Sequence, residues 1–284
     1  MDDSTIFIVG ANGQLGTALR AKYPNAKYAD VHELDITNKA SVDSFDWDGV
    51  EVIINAAAYT NVDGAETSDG RVAAWRVNAE AVGNLVHPVW RQDMTIVHIS
   101  TDFVFDGTQD NHTEDEPFSP LSVYGDSKAA GDLLVSQVDK RYILRTSWVI
   151  GEGKNFVRTM LDLGKKLDKM SVIDDHTGRP TFTSELVKAI DYLLSTRAAY
   201  GTYNVSNSGE AVSWAGLTRK IFELAGISTT VHNTTNQEYY SSKPGAAPRP
   251  LKSGLALDKL HATGFSSTDW QDDLKAYIEK ELSK

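Results

Sequence analysis

Short apolar runs alternate along the first half of the chain with stretches whose apolar residues recur every three or four positions. The runs Ser4 to Val9, Val50 to Ala58, Met94 to Ser100 and Arg141 to Arg145 are rich in β-branched and aromatic residues. Such continuous runs read as strands buried on both faces of a parallel sheet. Lys27-Tyr28-Ala29 predicts a shorter strand that ends near Asp30. Leu15, Leu19 and Tyr23 keep helical spacing, the stretch 69–91 reads as one long helix, and a further helix opens at Tyr124. Strand and helix in alternation predict an α/β fold, a Rossmann-like doubly wound parallel sheet. The second half changes character. Amphipathic patterns cover 156–167 and 185–194, a strand covers 201–206, and a helix over 213–225 is closed by Gly226. The stretch 241–250 is too rich in Pro and Gly for regular structure, and a last helix spans about 269–282. The expected division is a nucleotide-binding domain over 1–148, to which the chain returns around 174–206, and a smaller α+β lobe, mainly for substrate, over 149–284.

Candidate chemistry begins where the first strand ends. Gly10-Ala11-Asn12-Gly13-Gln14-Leu15-Gly16 lies between strand and helix, where glycines serve a tight turn, backbone approach to a pyrophosphate and close helix packing. The helix start then offers free amides and a partial positive charge to an anion. Asp30, about twenty residues on, is placed for an adenosine ribose and favours NAD. His32 and Lys27 could instead tolerate a 2′-phosphate, so the choice between NADH and NADPH stays open. Asp35-Ile36 could reach the adenine, or the segment could cap a helix before Asn38. Asn55 could hold the turn after its strand, and the small residues Ala56-Ala57-Ala58 suit a backbone passing under a flat ligand. Thr101 stands at a strand's carboxyl end, where ligands bind in open α/β sheets. Tyr124 and Lys128, four apart, share one helix face. An ammonium beside a phenol favours the phenolate and allows general acid–base work.

Taken in order, Gly10-x-x-Gly13-x-x-Gly16, Asn55-Ala56-Ala57, Ser100-Thr101-Asp102 and Tyr124-x-x-x-Lys128 resemble the motif set of the extended short-chain dehydrogenase/reductase family. Within it, Gly13 to Gly16, Asn55 to Thr60 with Val62-Asp63, Ser100 to Gly107, Leu144 to Trp148 and Asp175 to Thr181 are similar to the branch that completes dTDP-rhamnose. The likeness runs through nearly the whole chain. It implies reduction of dTDP-4-dehydro-β-L-rhamnose to dTDP-L-rhamnose with hydride from NADPH or NADH. By the same resemblance, Tyr124 protonates the nascent C4 alkoxide, Lys128 lowers the Tyr124 pKa and binds the nicotinamide ribose, and Thr101 polarises the carbonyl. It implies a cofactor site made by Gly10, Asn12, Gly13, Gln14, Leu15, Asp30, Asp35, Ile36, Asn55, Ala56, Ala57, Ala58, Tyr59, Asn78, Tyr124 and Lys128, with Asn78 orienting a water toward Lys128. It implies a substrate site made by Thr60, Val62, Thr101, Asp102, Phe103, Trp148 and Arg249, with Trp148 against the sugar. Two alternatives stay open: a reductase of another 4-keto sugar nucleotide, and a non-catalytic regulatory subunit, since the β subunit of methionine adenosyltransferase resembles these reductases.

The charge balance sharpens this picture. With 28 Lys and Arg against 39 Asp and Glu, the net charge is -11, which argues against nucleic acid and anionic membrane surfaces. A diphosphate then needs a local basic cluster. Arg249, held between two prolines, is the first candidate, with Lys154, Arg158, Arg179 and Lys252 behind it. The absence of cysteine excludes disulfides and thiolate-ligated zinc. No run reads as a signal peptide or reaches membrane-spanning length, so a cytoplasmic protein is expected. In some relatives glutamates are thought to hold magnesium at a dimer interface. The matching positions here are Ala18, Glu185 and Gln271, one carboxylate where a hard cation needs several oxygens. No structural Mg2+ and a monomer are expected, with Glu185 as a first-turn helix acid.

Overall fold

A computed structural model of the chain describes residues 2–283. The first half runs β1 (Ile6–Val9), α1 (Gln14–Lys22), β2 (Lys27–Ala29), α2 (Lys39–Ser44), β3 (Val52–Asn55), α3 (Ser68–Trp75), α4 (Ala81–Arg91), β4 (Thr95–Thr101), α5 (Val123–Val135) and β5 (Arg141–Thr146). The second continues β6 (Val149–Ile150), α6 (Phe156–Gly164), β7 (Lys169–Ile173), β8 (Thr177–Gly178), β9 (Thr181–Phe182), α7 (Thr183–Thr196), β10 (Gly201–Asn204), β11 (Val212–Ser213), α8 (Trp214–Ala225), β12 (Thr230–Thr234), α9 (Asn236–Ser241), β13 (Lys252–Ser253), α10 (Asp258–His261) and α11 (Trp270–Leu282).

Six strands form one parallel sheet in the order β10-β5-β4-β3-β1-β2. Successive strand residues point to opposite faces. Ile6, Ile8 and Ile54 therefore meet Leu15 and Leu19 of α1 and Leu186 and Ile190 of α7 on one side. Phe7, Ile53 and Ile96 meet Val82, Leu85 and Val89 of α4 on the other. The strand order reverses between β1 and β3, and at that switch point an open sheet offers a crevice. A third core joins α6, α8 and α11 through Leu161, Ile221, Phe222 and Leu274. Two short parallel pairs, β7–β12 and β6–β9, and the three-stranded β11-β8-β13 complete the second half; their strands are too short and polar for periodicity to reveal.

Two elements depart from the sequence expectation. The stretch 69–91 is not one regular helix, because a π turn at Arg76–Glu80 separates α3 from α4. Its Asn78 carbonyl lies where a Cβ on Gly131 of α5 would come within 2.3 Å. The helix after Phe156 stops at Gly164 rather than Leu167. There the Thr229 hydroxyl bonds the Gly164 carbonyl at 2.7 Å, and the Phe222 ring lies against the side-chain-free Gly164. Glu185 stands in the first turn of α7, buried, and accepts from the Thr268 amide at 3.2 Å. Among the described residues no helix is long and apolar enough to cross a membrane.

Candidate active site

A cavity of about 270 Å³ opens at the switch point, lined among others by Gly10, Gly13, Asp30, Asp35, Ile36, Ala56, Ala57 and Ala58. Gly10 has φ +75°, and a Cβ on it would lie 2.6 Å from the Ala57 nitrogen. A Cβ on Gly16 would lie 2.2 Å from the Gly10 carbonyl oxygen, so these two glycines are demanded by internal packing. Gly13 is different. A Cβ there would meet only the Gly10 oxygen, at 3.4 Å, so the bare side of Gly13 is open to the cavity. Gly13 also caps α1 without a side-chain bond to its first amides. An uncapped nine-residue helix behind a bare glycine suits a pyrophosphate.

The neighbouring side chains are arranged around that loop. Asp30 accepts from the Asn12 amide at 3.0 Å and the Val31 amide at 2.8 Å, and Arg20 donates to Asn12 Oδ1 at 3.2 Å while lying 4.1 Å over the Tyr28 ring. Gln14 accepts from the Gly151 amide at 2.9 Å, which ties the loop to the second half. The Leu15 side chain is in the core, leaving only its backbone toward the loop. Asp35 accepts from Thr37, and the α2 cap is Asn38 itself. Asn55 Oδ1 accepts from the Ala57 amide at 3.1 Å, holding the turn as its position suggested, and its amide group donates to His98 Nδ1.

Thr101 ends β4, and Ser122 starts α5 by accepting from the Gly125 amide at 3.1 Å. Tyr124 and Lys128 follow on one face, both buried. Phe103 packs edge-on against Tyr124, with ring centroids 5.4 Å apart. Burial raises the Tyr124 pKa well above the ordinary phenol value, the Thr101 hydroxyl works against that, and the charges of Asp102 and Asp132 add to it. The phenol is therefore held protonated. Burial brings Lys128 down to about 8, with the Asp132 carboxylate opposing the fall. Its ammonium donates to the Ile99 carbonyl at 2.7 Å. The side chain of Asn78 does not turn to Lys128: it accepts from the Tyr59 amide and donates to the Tyr59 carbonyl and Ser127 Oγ, bracing the strand end against α5.

A second cavity of about 300 Å³ brings together Phe103, Trp148 and Arg249 with Trp214, His176 and Tyr240. Trp148 has φ +47° and stacks on Trp214 at 3.5 Å and 15°. Arg249 donates to Asp63 at 2.7 Å and lies 4.7 Å over the Tyr240 ring. The Ala247 amide also donates to Asp63, so one carboxylate ties the Pro-rich loop to the first half. The other basic candidates are mostly engaged elsewhere: Arg158 with Glu152 and Glu281, Lys252 with Asp110, and Arg179 with the Leu255 carbonyl. Val62 packs beside Tyr59 and Phe103, and Thr60 is exposed. Sequence reasoning passed over Trp214, Tyr239 and Tyr240; the only signal available was their aromatic character in a polar region.

Comparison with known proteins gives the family of the chain. The family model described as RmlD substrate binding domain matches residues 4–283. The chain is 38% identical over 297 aligned residues to a dTDP-4-dehydrorhamnose reductase of Aggregatibacter actinomycetemcomitans, covering 96% of this chain and 99% of the relative. Among solved structures it is similar to a dTDP-4-dehydrorhamnose reductase of Clostridium acetobutylicum, with TM-score 0.91, 36% identity and coverage of 98% and 99%. A dTDP-4-dehydrorhamnose reductase of Bacillus anthracis in complex with NADP gives TM-score 0.90 and 35% identity, covering 97% and 98%.

Proposed function

The chain belongs to the RmlD substrate binding domain family, and from that premise we propose that it reduces dTDP-4-dehydro-β-L-rhamnose to dTDP-L-rhamnose. The observation that carries the reading is the buried Tyr124, which packs edge-on against Phe103 of the slot wall and stands four residues from Lys128. A nicotinamide dinucleotide, NADPH or NADH, supplies the hydride when bound. The Gly10–Gly16 loop and the α1 start would hold its diphosphate, and Asp30 and Asp35, which line the same cavity, would face its adenosine end.

The chain's residues then handle the proton. Tyr124, kept protonated by burial, gives its phenolic proton to the C4 oxygen of the sugar as hydride reaches C4, which leaves an alcohol on the sugar and a phenolate on the protein. Lys128, charged below about pH 8, offsets the phenolate and so favours the transfer. The Thr101 hydroxyl, in contact with both Tyr124 and Asp102, orients the carbonyl and stabilises charge growing on its oxygen. Trp148 lies against the sugar, and Arg249 takes the substrate diphosphate on the slot's open side.

We extend the proposal to a monomer without structural Mg2+. Ala18, Glu185 and Gln271 offer one carboxylate, and that carboxylate is buried and bonded to Thr268. The test follows the loss of reduced-nicotinamide absorbance with the sugar nucleotide, with and without a chelator. Turnover unaffected by the chelator is expected; no turnover with either NADPH or NADH removes the reading.

A further inference from the structure

The first amides of α5 have no acceptor within the helix, and two of them, those of Val123 and Gly125, flank Tyr124. The Gly125 amide is taken by the cap, donating to the Ser122 hydroxyl at 3.1 Å. The Val123 amide is taken from outside the helix: it donates to Glu66 Oε1 at 2.9 Å, across 57 positions of sequence. Val123 is 8% exposed, so water is a poor substitute for that acceptor. A carboxylate also suits the positive end of a helix.

Glu66 ends a short turn, the 3-10 segment Gly64–Glu66, that is held from several sides. Its Ala65 is fully buried and belongs to one apolar cluster with Val123 and Tyr124, against which Phe103 packs. The Thr67 hydroxyl donates to the Gly64 carbonyl at 2.7 Å, and that same oxygen leaves no room for a Cβ on Gly70. Asp63, at the head of the turn, accepts from the Ala247 amide and from Arg249. One turn therefore grips the start of the Tyr124 helix with one carboxylate and the Arg249 loop with the other.

We propose that Glu66 is a positioning residue for the reduction: by holding the Val123 amide it sets where α5 begins, and so where the Tyr124 hydroxyl stands against the sugar carbonyl. The inference rests on the reductase reading above. Without Glu66 the buried amide is left unpaired, and the helix start shifts to find another acceptor. A proton donor displaced by about 1 Å loses rate while the cofactor, bound elsewhere, keeps its affinity.

Three substitutions separate the hydrogen bond from the charge. Glu66→Gln keeps an acceptor of the same reach, and its single-turnover rate stays within about two-fold of the parent's. Glu66→Asp keeps the charge but falls one methylene short, and Glu66→Ala keeps neither. Both slow the reaction on the order of ten-fold, with the KM for NADPH unchanged and a larger solvent deuterium isotope effect, because proton transfer is the step impaired. A mere loss of folded protein lowers the rate and leaves the isotope effect where it was. Rescue by Glu66→Asp but not by Glu66→Gln, or slow rates with the parent's isotope effect, overturns the proposal. Hydrogen exchange of the Val123 amide reads the contact without turnover. Slow exchange is expected in the parent and Glu66→Gln, and faster exchange in Glu66→Asp and Glu66→Ala; equal exchange in all four also overturns the proposal. A parent without turnover removes the reductase reading instead, and leaves the exchange result standing.

Discussion

The cavity at the β1–β3 switch point is walled by backbone, by glycine and alanine, and by side chains no bulkier than Leu34 and Ile36, all from residues 9–77. The substrate slot is walled by Phe103, Trp148, Phe156, Trp214, Tyr239 and Tyr240, drawn from five separate segments between residues 103 and 240. One site is made by the path of the chain and the other by rings that meet after folding. A backbone-built cradle fails abruptly when an atom is added to it, because no side chain can move aside. A ring-built slot yields more gradually, because its side chains can turn to new rotamers.

The sharpest break is expected at Gly10→Val. A Cβ would stand 2.6 Å from the Ala57 nitrogen and 2.8 Å from the Ala56 carbonyl carbon, at a φ of +75°. Strain and overpacking of that kind cost about 1–3 kcal/mol each. The variant should lose nicotinamide binding by titration and melt at a lower temperature. Unchanged affinity would show that the cradle is not at this loop. In the slot, Arg249→Ala removes the bond to Asp63 and the face of Tyr240. The KM for the sugar nucleotide should rise about ten-fold, the scale of one charged hydrogen bond, with little change in kcat or in cofactor affinity. A change in nicotinamide binding instead would erase the distinction between the two cavities. The smallest effect is expected at the edge of the cradle. Asp30→Ala removes a carboxylate that a 2′-phosphate would face and a 2′-hydroxyl would use, so the ratio of kcat/KM for NADPH over NADH should rise several-fold, roughly 1 kcal/mol. A falling ratio would place the adenosine ribose elsewhere.

The same contrast explains what could be read from the chain before its folding was known. The parallel sheet was legible because β1, β3, β4 and β5 are buried runs of β-branched and aromatic residues, and the cradle because its packing leaves no room for side chains at Gly10 and Gly16. Tyr124 and Lys128 were legible as a spacing and Thr101 as a strand end, and the fold buries all three. The direction of the Lys128 ammonium toward the Ile99 carbonyl was not, since that carbonyl lies on another element. Arg249 could be chosen as a cation but not paired, because Asp63 is 186 positions away. The π turn at Arg76–Glu80 was hidden because Asn78 is fixed there by the Tyr59 backbone and Ser127, contacts that helical periodicity does not encode. Trp214 stacks on a Trp148 in left-handed backbone, a conformation that local sequence disfavours.

A single-turnover measurement tests most directly whether the buried Tyr124 supplies the proton. The parent and Tyr124→Phe, each preloaded with NADPH, are mixed with dTDP-4-dehydro-β-L-rhamnose, and loss of nicotinamide absorbance is followed. Phe keeps the ring packed on Phe103 and removes only the hydroxyl. Hydride transfer should slow about 10²–10⁴-fold, the range of a lost general acid, with NADPH affinity retained. Equal rates in the two proteins would contradict it and move the proton source away from Tyr124.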